Sequence, residues 1–307
     1  MIELQPFLKD RGTETKLAKL IGETIPAAVK KIRAAIQTQG THYAGTINAS
    51  DEKQLALDVQ ANNIVVEELK KSELVGMMAS EEMEEAVHMK GAKSAGFCVV
   101  FDPLDGSSLV DVNFAMGSIF GVYDWPQEKE AMGNVRGADQ IAACYAVYGP
   151  HTTLVFTTGR GTHEVRLAED GNFYMTKENL RVAPEAKHFA PGNLRAAAER
   201  EDYLRLTNDW IKRGLTLRYS GGMVPDINHI LLKGNGIFSY PGYAKAPQGK
   251  LRLLFECAPM AFLMEQAGGS ATDGNVRILD KKINQLRERS PIFLGSSAAV
   301  EECKILG

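Results

Sequence analysis

The run Phe97-Cys98-Val99-Val100-Phe101 is apolar and β-prone, and it stops at a carboxylate, Asp102. Pro103 and Gly106 then fold the chain sharply, Asp105 follows Asp102 by three residues, and Ser107-Ser108 open a helix. A strand that ends this way puts paired acids at the carboxyl edge of a sheet, where ligands of open α/β sheets gather. Carboxylate oxygens there hold hard cations, and free N–H groups at a helix start hold an anion. One turn therefore offers a metal site beside a phosphate site, the layout a phosphate-ester hydrolase needs. The plainer reading makes Asp102 and Asp105 solvated loop acids and Ser107-Ser108 an N-cap. A cap and a phosphate cradle use the same N–H groups, so the turn alone leaves both open.

The 307 residues suffice for one large domain or two ordinary ones. Apolar and charged fractions of 44% and 24% argue against disorder, and a formal charge of -3 argues against a nucleic-acid partner. Cys98, Cys144, Cys257 and Cys303 are scattered without metal-type spacing and read as reduced core thiols. No apolar block resembles a signal peptide or a membrane span, which makes the cytoplasm the expected compartment and the sequon Asn48-Ala49-Ser50 a chance match.

Helical spacing of Leu17, Leu20, Ile21, Ile25, Ala28, Val29, Ile32 and Ile36 predicts a long helix over 15–38, bent at Pro26. A loop follows over 40–50, then a helix over 56–71 with Asp58 near its start and Val59, Val66 and Leu69 turned inward. Strands are predicted at 74–79, 97–101, 118–123, 141–148, 152–158 and 163–168, with polar excursions at 84–94 and 125–139. Asp170-Gly171 marks a hairpin into Phe173-Tyr174-Met175. A charged, Pro-bearing stretch at 177–191 suggests a division into domains 1–180 and 181–307. Beyond it the pattern gives strands at 193–197, 215–219, 236–240 and 292–295, and helices at 202–213 and 224–233 and from Ser297. A buried helix over 251–266 is interrupted near Pro259 and stopped by Gly268-Gly269. The alternation predicts an α/β fold with two mixed sheets.

Glu81-Glu82 also follows a β-type run, so a second acid pair reaches a strand end. Gly234-Asn235-Gly236 lacks the third glycine of a dinucleotide fingerprint, and His163-Glu164 lacks the second histidine of a zinc protease. Asp102-Pro103-Leu104-Asp105 does not follow calcium-loop spacing. Arg218-Tyr219, Tyr240, Lys245 and Lys250 place cations and phenols on loops of the second half, ordinary singly but able together to hold a second phosphate.

Five motifs in one order carry a resemblance over nearly the whole chain. They are Leu57-Asp58-Val59, Ser80-Glu81-Glu82, the run Phe101 to Ser108, Arg218-Tyr219, and the run Gly249 to Cys257. The chain resembles the sugar bisphosphatases, the fructose-1,6-bisphosphatase and sedoheptulose-1,7-bisphosphatase family. The stretches Val110 to Phe114, Pro191 to Arg195 and Tyr219 to Asp226 look like the sedoheptulose branch. The resemblance implies a layered α-β-α-β-α fold and a homodimer or homotetramer. It implies removal of the 1-phosphate of sedoheptulose 1,7-bisphosphate, with a fructose or dual-specificity enzyme as the alternative. An inositol-phosphate-type phosphatase would not need the distal phenols and cations, and a non-catalytic sensor would not need every carboxylate.

Carried over by position, the resemblance implies that Glu81, Asp102, Asp105, Glu256 and the Leu104 carbonyl hold two or more Mg²⁺ ions, with Mn²⁺ as a substitute. Glu82 and Asp58 would position and deprotonate the attacking water, and Gly106, Ser107 and Ser108 would hold the departing phosphate. Asn193, Tyr219, Tyr240 and Lys250 would hold the distal phosphate, with Arg218 reaching in from a neighbouring subunit. Gly221, Gly222 and Met223 would line the sugar. Animal fructose enzymes bind AMP through a Lys-Tyr pair and an Arg where this chain has Gly96-Phe97 and Asp124, so AMP inhibition should be weak or absent. The cysteine-rich insertion of redox-switched plastid members is missing, so redox control is not expected.

Overall fold

The computed structural model describes residues 2–38, 43–47, 53–89, 96–125 and 135–306. Two mixed sheets organise it. The larger runs, edge to edge, Phe173–Lys177, His163–Leu167, Thr152–Thr157, Gln140–Tyr148, Met116–Trp125, Gly96–Asp105, Val75–Ser80 and Val87–His88. Only the Val75–Ser80 and Gly96–Asp105 pair is parallel. The smaller runs Thr216–Leu217, His188–Pro191, Ile237–Tyr240, Ile292–Gly295 and Ser270–Thr272, with His188–Pro191 parallel to both neighbours.

Strand periodicity sets the layers, because alternate side chains leave opposite faces. Phe97, Val99 and Phe101 join one core with Leu20, Ile25, Val29 and Ile32, beneath the N-terminal helices. Cys98 and Val100 face the other way, into a core shared with Val224, Ile227, Leu263 and, from the second sheet, Ala190, Phe238 and Leu294. Phe189, Ile237 and Phe293 point outward again onto Tyr203, Trp210 and Val300. The result is helix, sheet, helix, sheet, helix, the layering that the resemblance implies, with the mixed sheets that the alternation predicts. All four cysteines are buried without a disulfide, and no described helix is long and apolar enough to cross a membrane.

Two prolines shape helices in the same way. The N-terminal helix comprises Thr15–Lys19, a π turn over Leu20–Thr24, and Ile25–Thr38, with the Ile25 N–H reaching Leu20 O. Pro26, which cannot donate, stands directly after that wide turn. A second π turn, Leu253–Cys257, precedes Pro259 in the helix Ala258–Gln266, and Glu256 lies within it.

Several expectations are corrected. The strand expected to stop at Phe101 runs on to Asp105, because a bulge sets Asp102 opposite Ile119 and Asp105 opposite Gly117. The strand expected at 193–197 lies earlier, at His188–Pro191, where Phe189 and Ala190 serve the two cores, and Leu194–Ala198 is a 3₁₀ helix. Within the expected loop 40–50, Tyr43–Ile47 pairs with Lys53–Leu55; the sequon lies outside the described residues. Val59 and Val66 are half-buried, and Leu57, Val65 and Leu69 take the inward positions. An additional helix, Leu4–Asp10, buries Leu4, Phe7 and Leu8 at i, i+3 and i+4. Of the excursions, 90–95 and 126–134 lie outside the described residues, while Val87–His88 and Val135–Arg136 are short strands.

Candidate active site

The bulge explains how the acids reach one point. Asp102 and Asp105 stand on either side of Pro103-Leu104, where the ladder to Ser118 is interrupted. Ser118 uses its hydroxyl instead, donating to Pro103 O at 2.7 Å and sharing a 2.8 Å bond with the Tyr148 hydroxyl. The Leu104 N–H donates to Asp102 Oδ1 at 2.9 Å and the Val224 N–H to Asp105 Oδ2 at 2.7 Å. Glu256 arrives from the π turn, accepting the Arg252 N–H at 2.6 Å. Carboxylate oxygens of Asp102, Asp105 and Glu256, all three residues buried, lie within 4.8 Å of one another. Arg252 brings in Glu81, its Nη2 lying 2.8 Å from Glu81 Oε1 and its Nη1 3.9 Å from Glu256 Oε2.

Such a cluster is short of positive charge. Burial, then the charges of Glu81, Glu256 and Asp105, pushes Asp102 well up. Burial pushes Glu256 up to about 8, with Glu81 adding to it and Arg252 opposing. Burial takes Asp105 to about 6 against the pull of the Val224 and Met223 N–H groups. Convergent hard oxygen donors that repel one another, with a guanidinium already drawn among them, form a donor set that fits a divalent cation.

Glu82 is half-buried next to Glu81, and its N–H is donated to Ser80 Oγ at 3.2 Å. Asp58 is buried in the first turn of the helix Ala56–Ser72. At the other end of the bulge, Gly106 takes φ +77° and starts the 3₁₀ helix Ser107–Val112. The first bond of that helix is from the Leu109 N–H to Gly106 O at 2.8 Å, so its ladder does not use the N–H groups of Ser107 and Ser108. Gly222 covers this turn: a Cβ added to Gly106 would lie 3.4 Å from Gly222 Cα. The Met223 side chain packs in the core, leaving its backbone to face Asp105.

A cavity of about 680 Å³ opens beyond, and its lining brings together Asn193, Tyr219, Tyr240 and Lys250, the four residues that the resemblance assigns to a distal phosphate. Asn193 is buried and donates to Pro241 O at 3.1 Å, while Tyr219 donates to Gly192 O at 2.8 Å. Burial, then neighbouring Tyr219, pushes Tyr240 up to about 12, so it stays a donor. Arg218 is not among the lining residues; it is exposed, with Nη1 on its own Leu217 O at 2.8 Å. Arg195 and Tyr243 line the cavity instead, joined by the apolar Leu194, Leu204, Ile211 and Leu217. Arg195 and Arg252 both lie in motifs quoted above, but only the fold shows which cations face the site.

The profile of the fructose-1-6-bisphosphatase N-terminal domain matches residues 3–178, and that of the C-terminal domain matches 182–306. The chain is 44% identical over 309 aligned positions to the class 1 fructose-1,6-bisphosphatase of Syntrophotalea carbinolica, covering 99% of this chain and 93% of that one. It is 42% identical to the chloroplastic sedoheptulose-1,7-bisphosphatase of Triticum aestivum, covering 95% and 73% respectively. The crystal structure of Leishmania major fructose-1,6-bisphosphatase in holo form superposes with a TM-score of 0.92 at 32% identity, covering 99% of this chain and 98% of that one.

Proposed function

The chain belongs to the fructose-1,6-bisphosphatase family, and from that membership we propose that it is a magnesium-dependent phosphatase removing the 1-phosphate of fructose 1,6-bisphosphate. The observation that carries the reading is the juxtaposition of a buried Asp102, Asp105 and Glu256 cluster with a separate cavity lined by Tyr219, Tyr240 and Lys250. One end suits a hard cation and a reacting phosphate, and the other a second phosphate.

Glu81, Asp102, Asp105, Glu256 and the Leu104 carbonyl would hold the metal. Bound magnesium would supply charge neutralisation at the phosphoryl oxygens and a more acidic water. Glu82 would take the proton of the attacking water, which Asp58 would help to position. The Ser107 and Ser108 N–H groups receive the phosphate being removed. Asn193, Tyr219, Tyr240 and Lys250 fix the distal phosphate, so its binding energy orients the reacting end. The exposed position of Arg218 supports a role at a subunit boundary in a homodimer or homotetramer, where it serves a neighbour's distal site. The limits of the two domain profiles support two domains meeting near residue 180.

Sedoheptulose 1,7-bisphosphate, placed first by the motifs at 110–114, 191–195 and 219–226, becomes the second reading. The relative of higher identity is a fructose enzyme, while the wheat sedoheptulose enzyme at 42% keeps the longer sugar in view. Phosphate release from the two bisphosphates, with and without Mg²⁺, tests both. Higher kcat/KM on the fructose substrate is expected; the reverse order exchanges the two readings, and no Mg²⁺-dependent release from either refutes the activity.

A further inference from the structure

Asp226 is a buried acid that the carboxylate cluster and the distal cavity leave unexplained. It stands in the first turn of the helix Met223–Lys233 and is only 4% exposed. Its Oδ1 accepts the Ser220 N–H at 2.8 Å, while its Oδ2 is buried without a hydrogen-bond partner among the described residues. Burial, with the Asp105 charge adding to it and the Ser220 bonds opposing it, pushes the carboxyl up to about 7. Keeping a half-satisfied carboxyl inside a protein is costly, and such groups mark places where shape is being specified.

The shape in question is the span from Tyr219 to Val224. At one end the Tyr219 hydroxyl is fixed to Gly192 O beside the distal cavity. At the other the Val224 N–H is fixed to Asp105 Oδ2. Between them the chain follows neither helix nor strand: Gly221 takes φ +103°, and the Gly222 N–H closes on Ser220 Oγ at 3.2 Å. Gly222 Cα is the backbone that covers the Gly106 turn. The bond from Ser220 to Asp226 ties the middle of this span to the rigid first turn of the helix.

We propose that Asp226 is a positioning residue that, through the Ser220 N–H, sets the distance between the distal-phosphate phenol Tyr219 and the metal-ligand carboxylate Asp105. The proposal rests on reading these groups as the two ends of a sugar-bisphosphate site. It acts through geometry, so it separates from charge. Asp226→Asn keeps an acceptor at the same reach and drops the charge; Asp226→Glu keeps the charge and adds a methylene that displaces Ser220.

The test measures Mg²⁺ binding by calorimetry without substrate, kcat and KM on fructose 1,6-bisphosphate, and exchange of the Ser220 amide by hydrogen–deuterium NMR. The Glu variant should bind Mg²⁺ about tenfold more weakly and raise KM about tenfold, while the conservative Asn variant restores both to within about threefold of wild type. A Glu variant that matches wild type, or an Asn variant impaired as badly as Glu, overturns the proposal. If the Glu chain does not fold, the Ser220 amide decides: protection in wild type and Asn variant supports the link, and exchange at unfolded-chain rates in wild type overturns it. A wild type that releases no phosphate refutes the functional reading instead, and the exchange experiment still judges Asp226.

Discussion

The Arg252 guanidinium lies 2.8 Å from Glu81 and 3.9 Å from Glu256, so a side-chain cation sits between two acids assigned to the metal. Both partners of the shorter contact are nearly buried, with side chains 9% and 10% exposed. In this setting the ion pair is chiefly a remedy for excess negative charge, since buried pairs gain little over an apolar replacement but losing one partner strands the other.

Replacing that cation should therefore hurt most when no metal is bound. Arg252→Met, similar in length and neutral, should destabilise the metal-free protein by about 3 kcal/mol. Scanning calorimetry in EDTA and in Mg²⁺ checks this: the variant should show a lower Tm in EDTA and a larger Mg²⁺-induced rise than wild type. Equal rises in both proteins would mean that Arg252 does not offset the metal-site charge.

The raised carboxyls give pH dependence a definite sign. Glu256 moves from 4.5 to about 8 and Asp105 from 3.8 to about 6, burial being the leading cause for each. A group held above its ordinary value favours the folded state while protonated, and that contribution is lost as pH rises through the folded value. Metal-free protein should thus lose thermal stability between about pH 4 and pH 8 on account of these groups. Mg²⁺, competing with protons, should raise Tm more at pH 8 than at pH 5. A Tm in EDTA that climbs across this interval would contradict the assignment.

Glu82 is assigned proton transfer rather than binding, so its neutral analogue should separate the two. Glu82→Gln should lower kcat by about 10²- to 10⁴-fold with KM nearly unchanged. Steady-state kinetics at saturating Mg²⁺ decide it. Undiminished kcat removes Glu82 from the mechanism.

A cleft of about 840 Å³ has in its lining Gly96, Phe97 and Asp124, the positions that the resemblance equates with the AMP-binding residues of animal fructose enzymes. Phe97 turns its ring into the core, and Glu14 and Asp124 bring negative charge to face a phosphate, with Lys16 as the cation among the described lining residues. AMP at millimolar concentration should therefore leave the rate nearly unchanged. Inhibition at micromolar AMP would overturn this.

How much of this the residues disclose in advance depends on whether the deciding contact is local. Asp102 and Asp105 are legible because Pro103 and Gly106 are neighbours in sequence, although the bulge that carries the strand to Asp105 depends on pairing with Ile119 and Gly117 and is not. The layers follow from alternation, so Phe97 and Cys98 part company as a period of two requires. Pro259 marks an interruption in its helix, but the π turn that aims Glu256 shows only in the backbone. Arg252 meets Glu81 from far along the chain, Asp226 meets Ser220 only where the turn at Gly221 folds back, and Arg195 faces a cavity that the fold alone creates, so nothing in their spacing separates them from surface charges. The strand at 188–191 is not legible because Leu194 and the alanines after Arg195 suit a strand or a 3₁₀ helix equally.

The distal cavity admits a test that separates binding of the second phosphate from everything else. Tyr240 and Lys250 line it together with Tyr219, while Arg218 lies outside the lining on the same chain. If these groups hold the distal phosphate, deleting one should cost the same whether measured by truncating the protein or the substrate. Lys250→Ala should raise KM for fructose 1,6-bisphosphate by about 10- to 100-fold, a charge-assisted bond contributing about 1.5–3 kcal/mol. It should barely change kcat/KM for fructose 1-phosphate, which has no distal phosphate to lose. Arg218→Ala should show the same substrate dependence only if a neighbouring subunit completes the site, raising KM more than it lowers kcat. Its effect should then vanish under conditions where sedimentation shows single chains. Equal losses on both substrates for Lys250→Ala would place that residue in the reacting end or in folding, and would return the cavity to the list of surface features without assigned chemistry.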